Sequence, residues 1–275
     1  MSSRSPTAAL RHISSRTYRS HLERTAESLR SKDIYKAKLI AVSSATPDLR
    51  IFTLTLLDQF SRWTKFRAGQ WVDVWVPSPS ATMPGGFTVL SPPALLPRLQ
   101  LAIQAAPQNP PAAWLFQDKS LIVGKELMVR FGGSFTFPPS DREVELEELE
   151  HIVFIAAGVG INPLLSMLQH FKQHPPNEKA KVSFLFSIRP PVPKPYMDVL
   201  SALPAGILRL FITASGEVAQ PHHRRRMTVA DISAVLQGFP KDKTLVYICG
   251  PPRFTDEFVD TIGIPSSRVL TERWW

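Results

Sequence analysis

Two glycine turns hold the residues of this chain best suited to chemistry. Gly158 and Gly160 end an apolar, strand-like run over residues 151–157, and a helical pattern follows at once. Glycine lets the backbone turn tightly and approach a phosphate, while a following helix offers N–H groups and the positive end of its dipole. Pro163 suits the first turn of that helix, where its missing donor costs nothing. Gly158, Val159, Gly160, Ile161, Asn162 and Pro163 thus outline a nucleotide site. The alternative is an ordinary strand-to-helix turn, because Pro163 stands where the usual dinucleotide fingerprint has its third glycine. The second turn ends the run 244–249, where Cys249 is followed by Gly250, Pro251 and Pro252.

The segments between the turns supply the elements to position them. Residues 182–186 and 208–213 read as strands, and 163–170 and 196–203 as helices. Strands and helices alternating at this length predict βαβ units on a parallel sheet, with ligands bound outside the carboxyl ends of the strands. Both turns and Cys249 fall at that edge. From residue 34 to about 140 the pattern changes to short runs separated by Pro- and Gly-rich turns. Residues 35–41, 50–56, 71–76, 99–105 and 126–130 read as five strands and 87–90 as a sixth, which suggests a small antiparallel barrel. Residues 141–150 carry six acids and one arginine and read as a solvated connector.

Taken in order, these motifs resemble the ferredoxin–NADP reductase superfamily. Gly-Val-Gly-Ile-Asn-Pro at 158–163 and Cys-Gly-Pro-Pro at 249–252 resemble its two nicotinamide-nucleotide motifs. Phe-Arg-Ala-Gly-Gln-Trp-Val-Asp at 66–73 resembles the opening of its flavin barrel. Thr-Glu-Arg-Trp-Trp at 271–275 resembles the terminal acidic-x-aromatic segment that lies near the flavin in many members. The resemblance covers residues 34–275 and implies a β plus α/β fold: an N-terminal antiparallel six-stranded flavin-binding barrel (34–140), then a doubly wound parallel-sheet nicotinamide domain (151–275).

The resemblance also implies a cofactor pair, FAD (or FMN) and NAD(H), with hydride passing from NADH to the flavin and electrons on to an acceptor the sequence does not name. Catalytic positions carried over are Thr88, whose hydroxyl lies near the flavin N5 in relatives, Cys249, whose thiol packs beside the nicotinamide, and Glu272. Flavin contacts fall on Phe87, Thr88, Ala112, Gly133, Ser134 and Trp274. Nicotinamide-nucleotide contacts fall on residues 158–163, Arg189, Cys249, Gly250 and Pro251. Two departures weaken the flavin grip. Gly85 replaces the arginine that pairs with the pyrophosphate, and Ala112 stands at a helix start where relatives carry a hydroxyl, leaving the Ala112 and Ala113 N–H groups to face a phosphate. Arg130 is a candidate replacement for the lost charge. NAD is expected over NADP, because Ala-Ser-Gly-Glu at 214–217 has no arginine for a 2′-phosphate. Arg189 and the cluster Arg224, Arg225 and Arg226 argue the other way, although Arg226-Met-Thr-Val also reads as the start of a helix capped by Thr228. A second reading of the whole is a nucleotide-sensing or scaffold protein on a reductase fold with weakened flavin binding.

With 275 residues the chain can bury a sizeable core, and its single cysteine excludes an internal disulfide framework and an iron–sulfur centre. No histidine or cysteine grouping has metal-ligand spacing. The longest apolar stretch, 152–168, is broken by glycines, Asn162 and Pro163, which excludes a spanning helix there. Of the net charge of +9, residues 1–33 hold +4, from six arginines and one lysine against three acids. A basic, serine-rich, acid-poor N-terminus predicts a disordered mitochondrial targeting segment over 1–33. The alternatives are a cytoplasmic protein and a basic arm touching nucleic acid or acidic lipid, and the lack of interleaved aromatics argues against nucleic acid.

Overall fold

The computed structural model describes residues 20–57, 66–213 and 223–273. Helix α1 (His21–Arg24) precedes the first sheet, built from β1 (Tyr35–Thr46), β2 (Leu49–Leu56), β3 (Trp71–Trp75), β4 (Gly85–Thr88), β5 (Arg98–Gln104) and β6 (Glu126–Gly132). Its strands run in the order β4-β3-β6-β1-β2-β5, all antiparallel. The two ends meet through a bridge between Val89 and Leu101 and a 2.8 Å bond from the Leu90 N–H to the Gln100 carbonyl, so the sheet closes. Alternation decides what faces inward: Val72, Val74, Phe87, Leu99 and Leu101 meet in the barrel core. Short helices α2 (Pro110–Leu115) and α3 (Lys119–Ile122) link β5 to β6. All six strands expected from the sequence are present.

The second sheet comprises β7 (His151–Ala157), β8 (Lys181–Ile188), β9 (Leu208–Ile212), β10 (Thr244–Cys249) and β11 (Val269–Glu272). All pairs are parallel, in the order β11-β10-β7-β8-β9. Helices α4 (Ile161–Gln173), α5 (Lys194–Leu200), α6 (Val229–Leu236) and α7 (Pro252–Val259) connect them. Central strands of such a sheet are buried on both faces and read as unbroken apolar runs. In β7, Ile152, Phe154 and Ala156 face one core and Val153 and Ile155 the other. The order reverses between β7 and β10, so the crevice between their carboxyl ends is the switch point. Strand β11 was not expected from the sequence. At four residues it is too short for a periodic signal, and its place depends on pairing with β10.

The barrel and the parallel sheet share one core, in which Leu49, Ala102 and Phe137 pack with α4 and β7. Helix α4 adds a polar seam. Asn162, Ser166 and Gln169, spaced i, i+4 and i+7 and therefore on one face, donate to the carbonyls of Ala102 (2.9 Å), Ser91 (2.7 Å) and Leu90 (3.2 Å). These bonds tie the helix to backbone carbonyls of the barrel.

One boundary differs from expectation. Residues 20–33, expected as part of a disordered segment over 1–33, are folded onto the barrel. Ser20 and Glu23 form a capping box around α1, and the His21 side chain is 2% exposed. Residues 1–19 lie outside the described residues. The connector 141–150 has the solvated acidic face expected, anchored by Leu149, which is buried, and by Arg142, which donates to the Ser267 carbonyl at 3.2 Å.

Candidate functional site

The two glycine turns lie side by side at the switch point. Gly158 has φ 54°, in the left-handed region that favours glycine, and nothing lies within 4 Å of where its Cβ would be. Gly160 has the opposite surroundings. A Cβ there would collide with the Cys249 carbonyl and the Gly250 nitrogen. The first glycine keeps backbone bare toward open space, and the second lets the turn press against the end of β10. The Ile161 N–H is bonded to the Gly158 and Val159 carbonyls and Pro163 has none, so the donors a helix start can offer an outside acceptor here are chiefly those of the 158–160 turn.

Beside them opens a cleft of about 1020 Å³, the size range of pockets that take small-molecule ligands and cofactors. Gly158 and Val159 line it from the turn after β7, Arg189 from just past β8, Thr213 from just past β9, Pro251 and Phe254 from the start of α7, and Asp48 and Gln104 from the barrel. Three cations, Arg189, Arg226 and Arg253, are on its walls. Within the arginine cluster the roles divide. Arg225 pairs with Asp231 at 2.6 Å, and Asp231 accepts the Thr228 N–H at 2.8 Å, so Thr228 caps α6 as expected. The Arg225 bond, with those from Thr228, holds the Asp231 carboxyl well below the usual range.

Asn162 turns its side chain away from this turn and toward the barrel. Its Oδ1 accepts the Tyr196 hydroxyl at 2.9 Å while its Nδ2 holds the Ala102 carbonyl. Tyr196 itself lines the cleft, and burial pushes its phenol far above its ordinary value. Ile161 and Pro163 are buried in the first turn of α4. Cys249 is fully buried at the end of β10, where it pairs in register with Ala156 of β7 and Glu272 of β11. The structure thus brings together Cys249, Gly250, Pro251, Glu272 and the 158–160 turn.

On the barrel side the expected flavin positions are filled by the chain's own side chains. Phe87 is packed in the barrel core, 8% exposed, and a Cβ at Gly85 would come within 2.7 Å of its ring and 2.9 Å of Pro111. A Cβ at Gly86 would collide with the His21 ring, and one at Gly132 with the Trp71 indole. At Gly133, φ 95°, it would meet the same indole at 2.6 Å. The Ala112 N–H points to Asn109 Oδ1 at 3.4 Å and the Ala113 N–H to the Asn109 carbonyl at 2.9 Å, which corrects the expectation that both face a phosphate. Arg130, expected as a replacement charge, is bound to Asp73 at 2.7 and 2.9 Å. Thr88 is buried on β4, and Ser134 lines a small pocket of about 170 Å³ with Glu272. Trp274 lies outside the described residues, as do 214–217. Among the described residues no group of histidines, cysteines or acids could hold a metal ion, and no helix is long and apolar enough to cross a membrane.

Residues 154–260 match the model of the oxidoreductase NAD-binding domain. Oxidoreductase NAD-binding domain-containing protein 1 of Bos taurus is 33% identical over 93% of this chain and 85% of its own length. The chain belongs to that family. Ferredoxin–NADP reductase B of Sorangium cellulosum is 28% identical over 87% of the chain and 97% of its own length. Among solved structures, a ferredoxin NADP⁺ reductase from Neisseria gonorrhoeae with bound FAD and NADP superposes with a TM-score of 0.67 at 16% identity, covering 89% of this chain and all of that one. That likeness shows the fold: a reductase-type barrel followed by a nucleotide-binding sheet, as the resemblance implied. Within the family's fold, the α4 seam, Tyr196, Arg253 and the Asp73 cluster were missed from sequence. Three polar residues at i, i+4 and i+7 in an apolar helix were the available signal for the seam, and Ser-His-Leu-Glu at 20–23 was the one for α1.

Proposed function

We propose that this chain is an oxidoreductase that binds a nicotinamide dinucleotide, NADH in preference to NADPH, across the cleft between β7 and β10. The observation that carries the reading is Gly158, whose left-handed backbone and open Cβ direction leave bare backbone at the cleft, with the N–H groups of the 158–160 turn beside the start of a thirteen-residue helix. Those groups would hold the pyrophosphate. Arg189 and Arg226 supply the charge, and Val159, 42% exposed, offers apolar surface at the lip. Cys249 and Glu272 form the end of the sheet next to the turn and are the residues proposed to border the reacting end of the nucleotide. Hydride transfer asks of them positioning and exclusion of water more than acid–base chemistry.

The resemblance also implies FAD or FMN in the barrel. In the conformation described, His21 lies over Gly86 and the Trp71 indole over Gly132 and Gly133, and the space left beside Ser134 is about 170 Å³, too small for a flavin while residues 20–33 are in place. No step is therefore assigned to it. This filled face favours a second reading, a nucleotide-binding sensor or scaffold on the reductase fold. A mitochondrial location is proposed on the basic character of the first residues.

Titration with NADH in the presence of added FAD, which takes the hydride and releases its electrons singly, followed by addition of ferricyanide, tests both readings. NADH oxidised with two ferricyanides reduced per NADH is the outcome expected of the reductase. Binding without oxidation selects the sensor, and no binding of NADH rejects both.

A further inference from the structure

We propose that residues 20–33 are a latched cover on the barrel face that the family resemblance assigns to flavin, so that flavin and this segment compete for one surface. The proposal rests on the reductase reading of the barrel, and it concerns what controls that site.

Both faces of β3 are buried, although an antiparallel barrel strand ordinarily turns one face to water. The outer residues Trp71 and Asp73 are covered by the N-terminal segment. Asp73 is fully buried, and its carboxylate is held by His21 Nε2 at 3.0 Å, Arg30 Nε at 3.2 Å and Arg130 at 2.7 Å. Burial alone would raise the Asp73 carboxyl, but the bonds from His21 and Arg130 and the charge of Arg30 override it and hold the group below its ordinary range. Two of these three partners belong to the cover.

Of the positions the flavin motifs mark, the segment covers the outer face, over Gly86 and beside Gly133 and Ser134, while Phe87 and Ala112 lie on the barrel-core side. His21 fills the space over Gly86, next to Thr88. The Trp71 indole lies over Gly132 and Gly133, held edge-on by His21 at 4.7 Å and capped by the Arg30 guanidinium at 5.0 Å. Backbone pairing continues the fit: the Ser31 N–H donates to the Phe131 carbonyl at 2.8 Å, and the Gly133 N–H to the Leu29 carbonyl at 2.9 Å. The space left beside Thr25, Ser28 and Ser134 is about 170 Å³, below the roughly 300–1,000 Å³ of pockets that take drug-sized ligands.

The segment is fastened by charge more than by apolar burial. His21 and Thr25 are its buried residues, while Leu29 is 72% exposed. A cover held this way can lift without opening the barrel core, because Asp73 and the arginines regain water when it leaves.

The test uses the full chain and the variant His21→Ala/Arg30→Ala, each titrated with FAD and separately with NADH, with hydrogen exchange followed over residues 20–33. The expected result is at least tenfold tighter FAD binding by the variant, unchanged NADH affinity, and faster exchange of the 20–33 amides when FAD is added to the wild type. Asp73→Asn, which weakens the same latch without removing a side chain, should shift FAD affinity the same way. Equal or weaker FAD binding by both variants overturns the proposal, as does tight FAD binding by the wild type with its 20–33 amides still protected. If no form binds FAD the cover is rejected, and the NADH titration then states separately whether the nucleotide reading stands.

Discussion

Cys249 and Glu272 stand opposite each other in the parallel pairing of β10 and β11, with Ala156 on the other side of the cysteine. Twenty-three positions separate the two in the chain, yet they form adjacent steps of one row across the sheet end. Gly160 presses on the carbonyl of that same cysteine. Any nucleotide seated on the 158–160 turn therefore lies next to a row set by sheet register and not by a flexible loop.

Gly158 and Gly160 should respond differently to substitution. Gly158→Val places a branched side chain in a left-handed backbone that faces the cleft, and the expected outcome is a loss of NADH affinity of tenfold or more, with a stability cost of about 1–3 kcal/mol. Gly160→Ala drives a methyl into the Cys249 carbonyl, so its main effect is destabilisation, about 2–4 kcal/mol. NADH titration and urea unfolding of both variants check this. Unchanged affinity in folded Gly158→Val rejects the phosphate role.

The Tyr196–Asn162–Ala102 chain ties the cleft to the barrel. Tyr196→Phe removes one bond and should cost about 1 kcal/mol. Asn162→Ala leaves the Tyr196 hydroxyl and the Ala102 carbonyl buried without that partner and should cost about 2–4 kcal/mol. The double variant should cost less than the sum, because both changes break the same network. Additive urea-unfolding energies would show that the two residues act independently.

His151 makes stability depend on pH. Burial first, and the nearby Lys181 second, lower its imidazole to about 4 from an ordinary 6.5. Above pH 6.5 both folded and unfolded chains carry it neutral. Between about 6.5 and 4 the unfolded chain takes up a proton that the folded one refuses, so stability falls as pH falls, by up to about 1.4 kcal/mol per unit. His151→Asn, able to keep a bond to Ser183, should flatten that slope. Urea unfolding of both proteins from pH 4.5 to 7.5 is the measurement, and parallel curves would refute it.

Cofactor preference is expected to favour NADH. Arg189→Ala and Arg226→Ala should then weaken NADH and NADPH binding by similar factors, because both arginines would serve the shared phosphates. Isothermal titration decides it. A loss confined to NADPH would mean that these arginines read the 2′-phosphate.

The strands other than β11, the order of the two units and both glycine turns were legible in the sequence, because each is a local pattern: alternation in β2, an unbroken apolar run in β7, glycine and proline at fixed offsets. Local patterns survive without knowledge of the partner. Thr228 as a cap was legible for the same reason. The meaning of Gly85-Gly86-Phe87-Thr88 was not. As sequence it is a flavin motif missing its arginine, whereas in the structure Gly85 makes room for Phe87 and Pro111 and Gly86 for His21. His21 reaches Gly86, and Arg30 reaches Asp73, across more than forty residues, and nothing in the local pattern of either segment specifies the other. Basic composition was enough to suggest a targeting segment, but only tertiary packing decides that its last fourteen residues cover the barrel. A buried carboxylate needs several donors converging from separate strands, and convergence of that kind exists only once the chain has folded.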